Sequence, residues 1–456
     1  MMPANRRGSA SVTSVGPDAN PADPTSSPAL RPAYREPGFR RFVLGEAASV
    51  VGDQVWFVAL SWAAVQVASP ATAGLILTVS AVPRLVLMIL GGPLADRYDA
   101  RRLMIGSDLL RAAVMFAAAA IAVQHSSVML LVVISLVFGA ADAIFMPASG
   151  SLRPRLLHTS QLASGGALRE LAMRAALTLG SPLGGLVVAA GNLWLACVVN
   201  GFTFLVSMLF LRTVRPREVA PAAPGAPTGY FASLKDGLRY LATHPVLRSV
   251  LTVTLLVNLA FVGPMNVGLA LLSQDRDWGA GGIGTLLAGF GVGAAAGALA
   301  MLRTHVDRGI GLWIALACLL EGAGLAALGL IERFPVAVAA AALVGLVSAP
   351  LGIMTTALTQ SGVPDEYRGR VSSVNMLVNL GLTPLSIAAL GVVADWWGTS
   401  TAVVAFAALA WVAAVLCLMV PALRRARVRG EEDRVPPLVA GASTPTKSIR
   451  ARPFRH

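Results

Sequence analysis

One feature constrains this chain more than any other: apolar stretches of about 20 residues, the length an α-helix needs to cross a bilayer, recur along nearly all of it. A helix of that kind satisfies its own backbone hydrogen bonds, which lipid cannot do for it. A membrane β-barrel would alternate polar and apolar residues instead of running apolar for a full span. The pattern predicts helices over 39–67, 71–95, 101–124, 127–150, 163–190 and 193–211, then 247–273, 280–302, 309–331, 335–358, 371–394 and 399–423. With 55% apolar and only 13% charged residues in 456, the chain has too little polar surface to clothe a soluble body, which excludes a soluble enzyme. The expected fold class is an all-α polytopic membrane protein with twelve transmembrane helices in two six-helix bundles.

The net charge of +13 is not spread evenly. Residues 1–41, 212–248 and 424–456 carry +3, +4 and +6, and the remainder is neutral. A basic excess confined to tails and one long loop is the mark of topology selection, so no nucleic-acid partner is implied. The loops alternate between a set nearly free of basic residues, holding only Arg276 and Arg333, and a set rich in arginine. By the positive-inside rule the second set is cytoplasmic, which puts both termini inside a cell membrane. The expected organisation is a disordered tail over 1–38, a first bundle over 39–211 and a linker over 212–246. A second bundle over 247–423 and a disordered basic tail over 424–456 follow. Within the linker, Phe231, Leu234, Leu238 and Leu241 recur at helical spacing among charged residues, which predicts an amphipathic helix on the membrane surface. At a separation of 206 residues Gly139 matches Gly345, Leu152 matches Leu358 and Gly185 matches Gly391, a faint parallel repeat of the kind transporters carry.

After the second span the chain reads Gly92-Pro93-Leu94-Ala95-Asp96-Arg97-Tyr98-Asp99-Ala100-Arg101-Arg102. This resembles the loop signature of the major facilitator superfamily: a Gly, three residues, Asp-Arg, then a basic pair. Asp99, standing where the family usually has a second Gly, is similar to the branch of drug and siderophore exporters related to the enterobactin exporter. Phe145-Met146-Pro147, with Arg153 following, and Val363-Pro364-Asp365-Glu366-Tyr367-Arg368-Gly369-Arg370 are similar to the same branch, and the resemblance spans about 39–423. It implies a cytoplasmic gate built on Gly92, Asp96, Arg97, Arg101, Arg102 and Arg153. Topology alone would also account for Arg101 and Arg102. Two departures stand out. The fourth span lacks the early Arg of the family's antiporters and offers Asp142, and the fifth reads Gly180-Ser181-Pro182-Leu183-Gly184-Gly185, its proline displaced by one, where a kink or close helix packing is expected.

Ionisable groups at membrane depth are costly and usually functional. Asp53 and Glu46 lie seven residues apart on one face of the first span, and Arg84 in the second is the most obvious counter-charge for Asp53. Asp142 and Glu321 complete the deep acids. These carboxylates either take up and release protons or form static pairs that fix helix register. Asn258, Asn266, Asn375 and Asn379 either line a cavity or join helices. Asp108 with Arg111, and Arg169 with Glu170 and Arg174, read as local pairs near the inner ends of their spans.

Lysine occurs only at Lys235 and Lys447, neither preceded by Gly, so the chain has no phosphate loop and no ATP site of its own. Five scattered histidines and three cysteines buried in apolar runs give no metal spacing, no disulfide framework and no cofactor. The reading is that the chain is not an enzyme. Its partners would be a small-molecule substrate, a proton gradient and the lipid bilayer. The resemblance implies proton-coupled efflux of an amphipathic molecule, such as a drug, siderophore or secondary metabolite, by alternating access. An uptake or exchange carrier for a small polar metabolite, and a scaffold that does not transport, remain open on the residues alone.

Overall fold

The computed structural model describes residues 32–84, 86–87, 98–124, 126–217, 230–303, 309–361, 363 and 365–424. The first half comprises α1 (Pro37–Val67), α2 (Pro70–Thr78), α3 (Ala100–Ala122), α4 (Val128–Leu152) and α5 (Leu162–Thr213). The linker helix α6 (Tyr230–Thr243) leads to α7 (Pro245–Gly263), which runs through a π-helical turn into α8 (Leu269–Asp275). Then come α9 (Gly279–Arg303), α10 (Ile310–Leu330), α11 (Phe334–Ser361), α12 (Asp365–Trp397), α13 (Thr399–Met419) and α14 (Pro421–Arg424). Among the described residues nine helices are long and apolar enough to span a bilayer, and the Gly381–Trp397 part of α12 is a shorter apolar one. One of the nine, α5, crosses twice. With α2 opening the second span, the architecture is the all-α, twelve-helix one that the apolar periodicity predicts.

Helix starts follow capping chemistry. Ser69, Asp99 and Ser127 each accept a hydrogen bond from a backbone N–H of the first turn, at Thr72, Arg102 and Leu130. Asp99 therefore has a local duty that explains an acid there: it starts α3. In the middle of α5, Gly191 (φ −152°) and Asn192 (φ 56°) break the helix. Glu46, Gln54 and Val58 of α1 meet Arg169, Ser181 and Gly184 on the first leg in the same order. Gly45 and Gly52 meet Phe210 and Asn200 on the second leg in reverse order. The chain thus turns back at Asn192, one leg parallel to α1 and the other antiparallel.

Pro264 cannot donate a backbone hydrogen bond, and the ladder opens into a π turn over Pro264–Gly268. Ser386 of α12 repairs it: its hydroxyl accepts from Gly263 N–H at 2.8 Å and donates to Leu259 O at 2.8 Å. The linker helix packs on α12. Leu241 is buried beside Leu247, Val363, Val371 and Val374, the Tyr240 ring stacks on Tyr367 at 4.3 Å, and Asp236 lies 3.7 Å from Arg370.

The glycines that echo each other at 206 residues do the same work in each half. A Cβ on Gly139 would lie 2.0 Å from Ser80 O, and one on Gly345 2.0 Å from Phe290 O, so both glycines let a carbonyl of an adjacent helix approach closely. Gly185 and Gly391 then join the halves. A Cβ on Gly185 would stand 2.4 Å from Gly284 Cα on α9, and one on Gly391 would stand 2.6 Å from Pro70 O and 3.2 Å from Gly74 Cα on α2. Both crossings lie at the face of the bundle remote from the termini. There Arg276 also gathers the end of α10, donating to Leu328 O, Gly329 O and Ile331 O at 2.8, 2.5 and 2.7 Å and reaching Ser400 at 3.3 Å. This accounts for one of the two basic residues on a set of loops otherwise free of them: its charge caps carbonyls.

Arg276→Met removes these charge-assisted bonds and should lower stability by about 2 kcal/mol. Thermal unfolding in detergent would register the loss, and Arg276→Lys, which lacks the planar fork, should recover less than half of it. Gly185→Leu should keep the remote face from closing. A cysteine at Ile387 would then react with an impermeant thiol reagent from that face about tenfold faster, the effect of a ~1.4 kcal/mol bias on a two-state equilibrium; an unchanged rate would show that the crossing does not control closure.

Candidate functional site

The halves enclose a cavity of about 290 Å³. α1 supplies Asp53, Gln54, Trp56, Phe57 and Leu60, the second span Leu77, Ser80 and Arg84, and α4 Ser135, Phe138 and Asp142. The second half contributes Asn266, Thr383, Pro384 and Ile387. All the charge is therefore on one wall, faced by a neutral one.

Behind that wall lies a guanidinium with almost no solvent contact. Arg111 of α3 is 1% exposed and sits between the rings of Phe145 and Phe204, at 4.6 and 4.4 Å from their centres. It donates to Asp108 at 2.7 Å and to Asp142 at 3.2 Å. Asp142 also accepts from Arg84 at 2.6 Å, so it bridges two cations and ties α3, α4 and the second span together. The expected pairing of Asp53 with Arg84 is not formed: Arg84 turns to Asp142, which offers it a direct ion pair. Asp53 keeps Arg111, Asp142, Asp108 and Arg84 as its charged neighbours, yet its Oδ1 has no hydrogen-bond partner within the described protein. Three acids thus face two arginines. Sequence reading gave Asp108 and Arg111 a local role near a helix end. The i,i+3 pair is there, but Arg111 lies 11 residues into a 23-residue helix, at mid-membrane, and position along the span was the signal that could have shown it.

Other expected site residues lie elsewhere. Glu46 is off the cavity: Arg169 grips both its oxygens, at 2.7 Å to Oε2 and by a second bond to Oε1, and Ser149 donates to Oε1 at 3.0 Å. That clamp joins α1, α4 and α5. Arg174 pairs instead with Glu170 at 2.9 Å on an exposed face. Glu321 is 1% exposed, does not line the cavity, and accepts from Ser348 at 2.8 Å. Ser348 stands 206 residues after Asp142, so the second half has a hydroxyl where the first has the bridging carboxylate. Asn258 turns back on its own helix, donating to Thr254 O at 2.8 Å, while Asn266 lines the cavity and donates to Val262 O at 2.6 Å. The side chains of Asn375 and Asn379, and all of Gly92, Asp96 and Arg97, lie outside the described residues.

Among the remaining gate residues, Arg101 donates to Leu211 O at 2.8 Å and also to Arg212 O, capping the second leg of α5. Arg102 is exposed and Arg153 stands just past α4. Gly180 and Gly184 admit α1, where a Cβ would lie 2.7 Å from Gln54 Cβ and 3.0 Å from Val55 Cα, Pro182 sits inside the first leg, and Gly185 makes the crossing to α9.

Comparison with known proteins agrees with this architecture. The profile described as Major Facilitator Superfamily matches residues 42–385. The chain is 26% identical over 390 residues to an uncharacterised MFS-type transporter, YfiS, of Bacillus subtilis, covering 82% of this chain and 90% of that one. It is 23% identical over 414 residues to the multidrug efflux pump Tap of Mycobacterium tuberculosis, covering 89% and 98%. To the enterobactin exporter EntS of Escherichia coli it is 24% identical over 365 residues, covering 78% and 85%. Solved structures share the fold. A bacterial homolog of the human lysosomal transporter Spinster, inward-facing and occupied, matches with a TM-score of 0.66 at 14% identity over 86% of this chain and 97% of that one. The nucleoside transporter NupG matches with 0.63 at 15% identity over 84% and 98%.

Arg111→Met would leave the fully buried Asp108 without its cation and should cost about 3–5 kcal/mol. Melting in detergent would show it, and combining Arg111→Met with Asp108→Asn should recover more than half of the loss by removing the stranded charge.

Proposed function

Since this chain belongs to the Major Facilitator Superfamily, and is accordingly a multi-pass membrane transporter rather than an enzyme, we propose that it exports a small amphipathic molecule in exchange for protons. The observation that carries this reading is the odd carboxylate. Asp142 and Asp108 each have an arginine, and Asp53, on the cavity wall, has no ion pair among the described residues. A single surplus negative charge can be balanced by a proton or by a positive group on a substrate, and either neutralisation makes the other unnecessary. Such exclusion is the minimum an antiporter needs.

The walls suit an amphipathic guest. Trp56, Phe57, Leu60 and Phe138 offer apolar surface beside the charge, and the volume lies near the lower end of the range for small-ligand sites. Efflux relatives support the outward direction, and the arginine-rich loops support a cytoplasmic location for both termini in the cell membrane. With the halves joined by glycine crossings at the face remote from the termini, the conformation fits an inward-open state. The two bundles then rock about the cavity, the first from 39 to 211 and the second from 247 to 423.

Purified chain in proteoliposomes with an imposed pH gradient, offered cationic, neutral and anionic lipophilic dyes, tests this. Asp53→Asn should lose about tenfold or more of the gradient-driven flux, a barrier change of at least ~1.4 kcal/mol. Flux equally responsive to the gradient in the variant would remove Asp53 from the coupling step, and no gradient response with any dye would point to another substrate class.

A further inference from the structure

We propose that an anionic phospholipid binds in the groove between the first turns of α1 and the last turns of α5. The groove is lined by Arg41, Val206, Leu209, Phe210 and Thr213. It exists because the two helices cross tightly one turn deeper, where a Cβ on Gly45 would lie 3.1 Å from Phe210 Cβ and 3.3 Å from Ser207 O.

Its two ends differ in chemistry. At the mouth, exposed Arg41 uses one guanidinium N–H on Thr213 O at 3.3 Å, and no carboxylate among the described residues pairs with it. Nearby Arg212 is exposed too, and the acids five residues to either side of Arg41 are engaged, Glu36 by Arg217 at 3.8 Å and Glu46 by Arg169. The end carbonyls of α5, which would repel a phosphate, are occupied: Arg101 holds Leu211 O and Arg212 O, and Arg41 holds Thr213 O. What remains at the mouth is an uncompensated positive charge at the ends of two spanning helices. Deeper, Leu209 and Val206 are 55% and 40% exposed and continue to Phe202 at 56%, an apolar track of about 10 Å from Leu209 to Phe202 at 1.5 Å per residue. A phosphate with an acyl chain attached fits both ends at once. A zwitterionic lipid would bring its ammonium group against the same arginines.

Native mass spectrometry of the full chain in detergent, titrated with phosphatidylglycerol or phosphatidylcholine of the same acyl chains, tests the site. Wild type should take its first phosphatidylglycerol about fivefold more tightly than phosphatidylcholine. Arg41→Gln should remove that preference, since one surface arginine contributes about a fivefold factor. Arg40→Gln, outside the groove, should change it by less than about twofold. Val206→Trp, which fills the apolar part, should weaken both lipids, and a circular dichroism melt would establish that each variant is folded. Equal binding of the two lipids by wild type overturns the proposal. So does an Arg40→Gln loss as large as that of Arg41→Gln, which would assign the preference to diffuse surface charge.

Discussion

Keeping an arginine ionised at mid-membrane dictates much of the first half. A guanidinium there must be matched by acids, and the acids in turn need cations. Arg111 meets this demand with Asp108 from its own helix and Asp142 from the next, and Asp142 recruits Arg84 from the second span. Phe145 and Phe204 close over its faces. Each partner fixes a helix, so α3, α4 and the second span cannot shift past one another without stranding a charge. The same network leaves Asp53 beside the cavity as the acid for which no arginine remains.

In the proposed transport cycle, movement falls to the joint between the halves. Within each half, Gly139 and Gly345 bring neighbouring helices into carbonyl contact, and the Glu46–Arg169 clamp adds a second lock in the first. Between halves, the closest contacts at Gly185 with Gly284 and Gly74 with Gly391 are backbone against backbone, flanked by uncharged side chains such as Val188, Ile283, Ile76 and Ile387. Contacts of this kind strand no charge when they part, whereas a buried ion pair broken at the joint would cost several kcal/mol.

The fold was largely legible because lipid leaves so few choices: a run of apolar residues long enough to cross must be a helix. Even the turn inside α5 was readable, since Ala190 to Asn192 broke the apolar pattern. Partners at the site were harder to read. Asp53 was identified from its depth in α1, but its pairing was not, because sequence gives position along a helix and leaves rotation about its axis free. Arg84 had two acids within reach, and only the packed structure decides for Asp142. Glu46 shares a helical face with Asp53, yet seven residues carry it to the level of Arg169, away from the cavity. Ser386 repairing the π turn had no signal at all, lying 123 residues from the amide it accepts from.

The divided character of the cavity also bears on how such a chain evolves. One wall holds the ionisable groups, while the opposite wall offers Asn266, Thr383, Pro384 and Ile387, none of which carries charge. The two halves share a glycine framework, and where the first has Asp142 the second has Ser348. A duplicated ancestor that concentrated its energetics in one copy would free the other from that duty. Substitutions on the neutral wall could then alter which molecules are accepted while the charge balance opposite stayed intact, so selectivity and energy coupling would be inherited as separable traits.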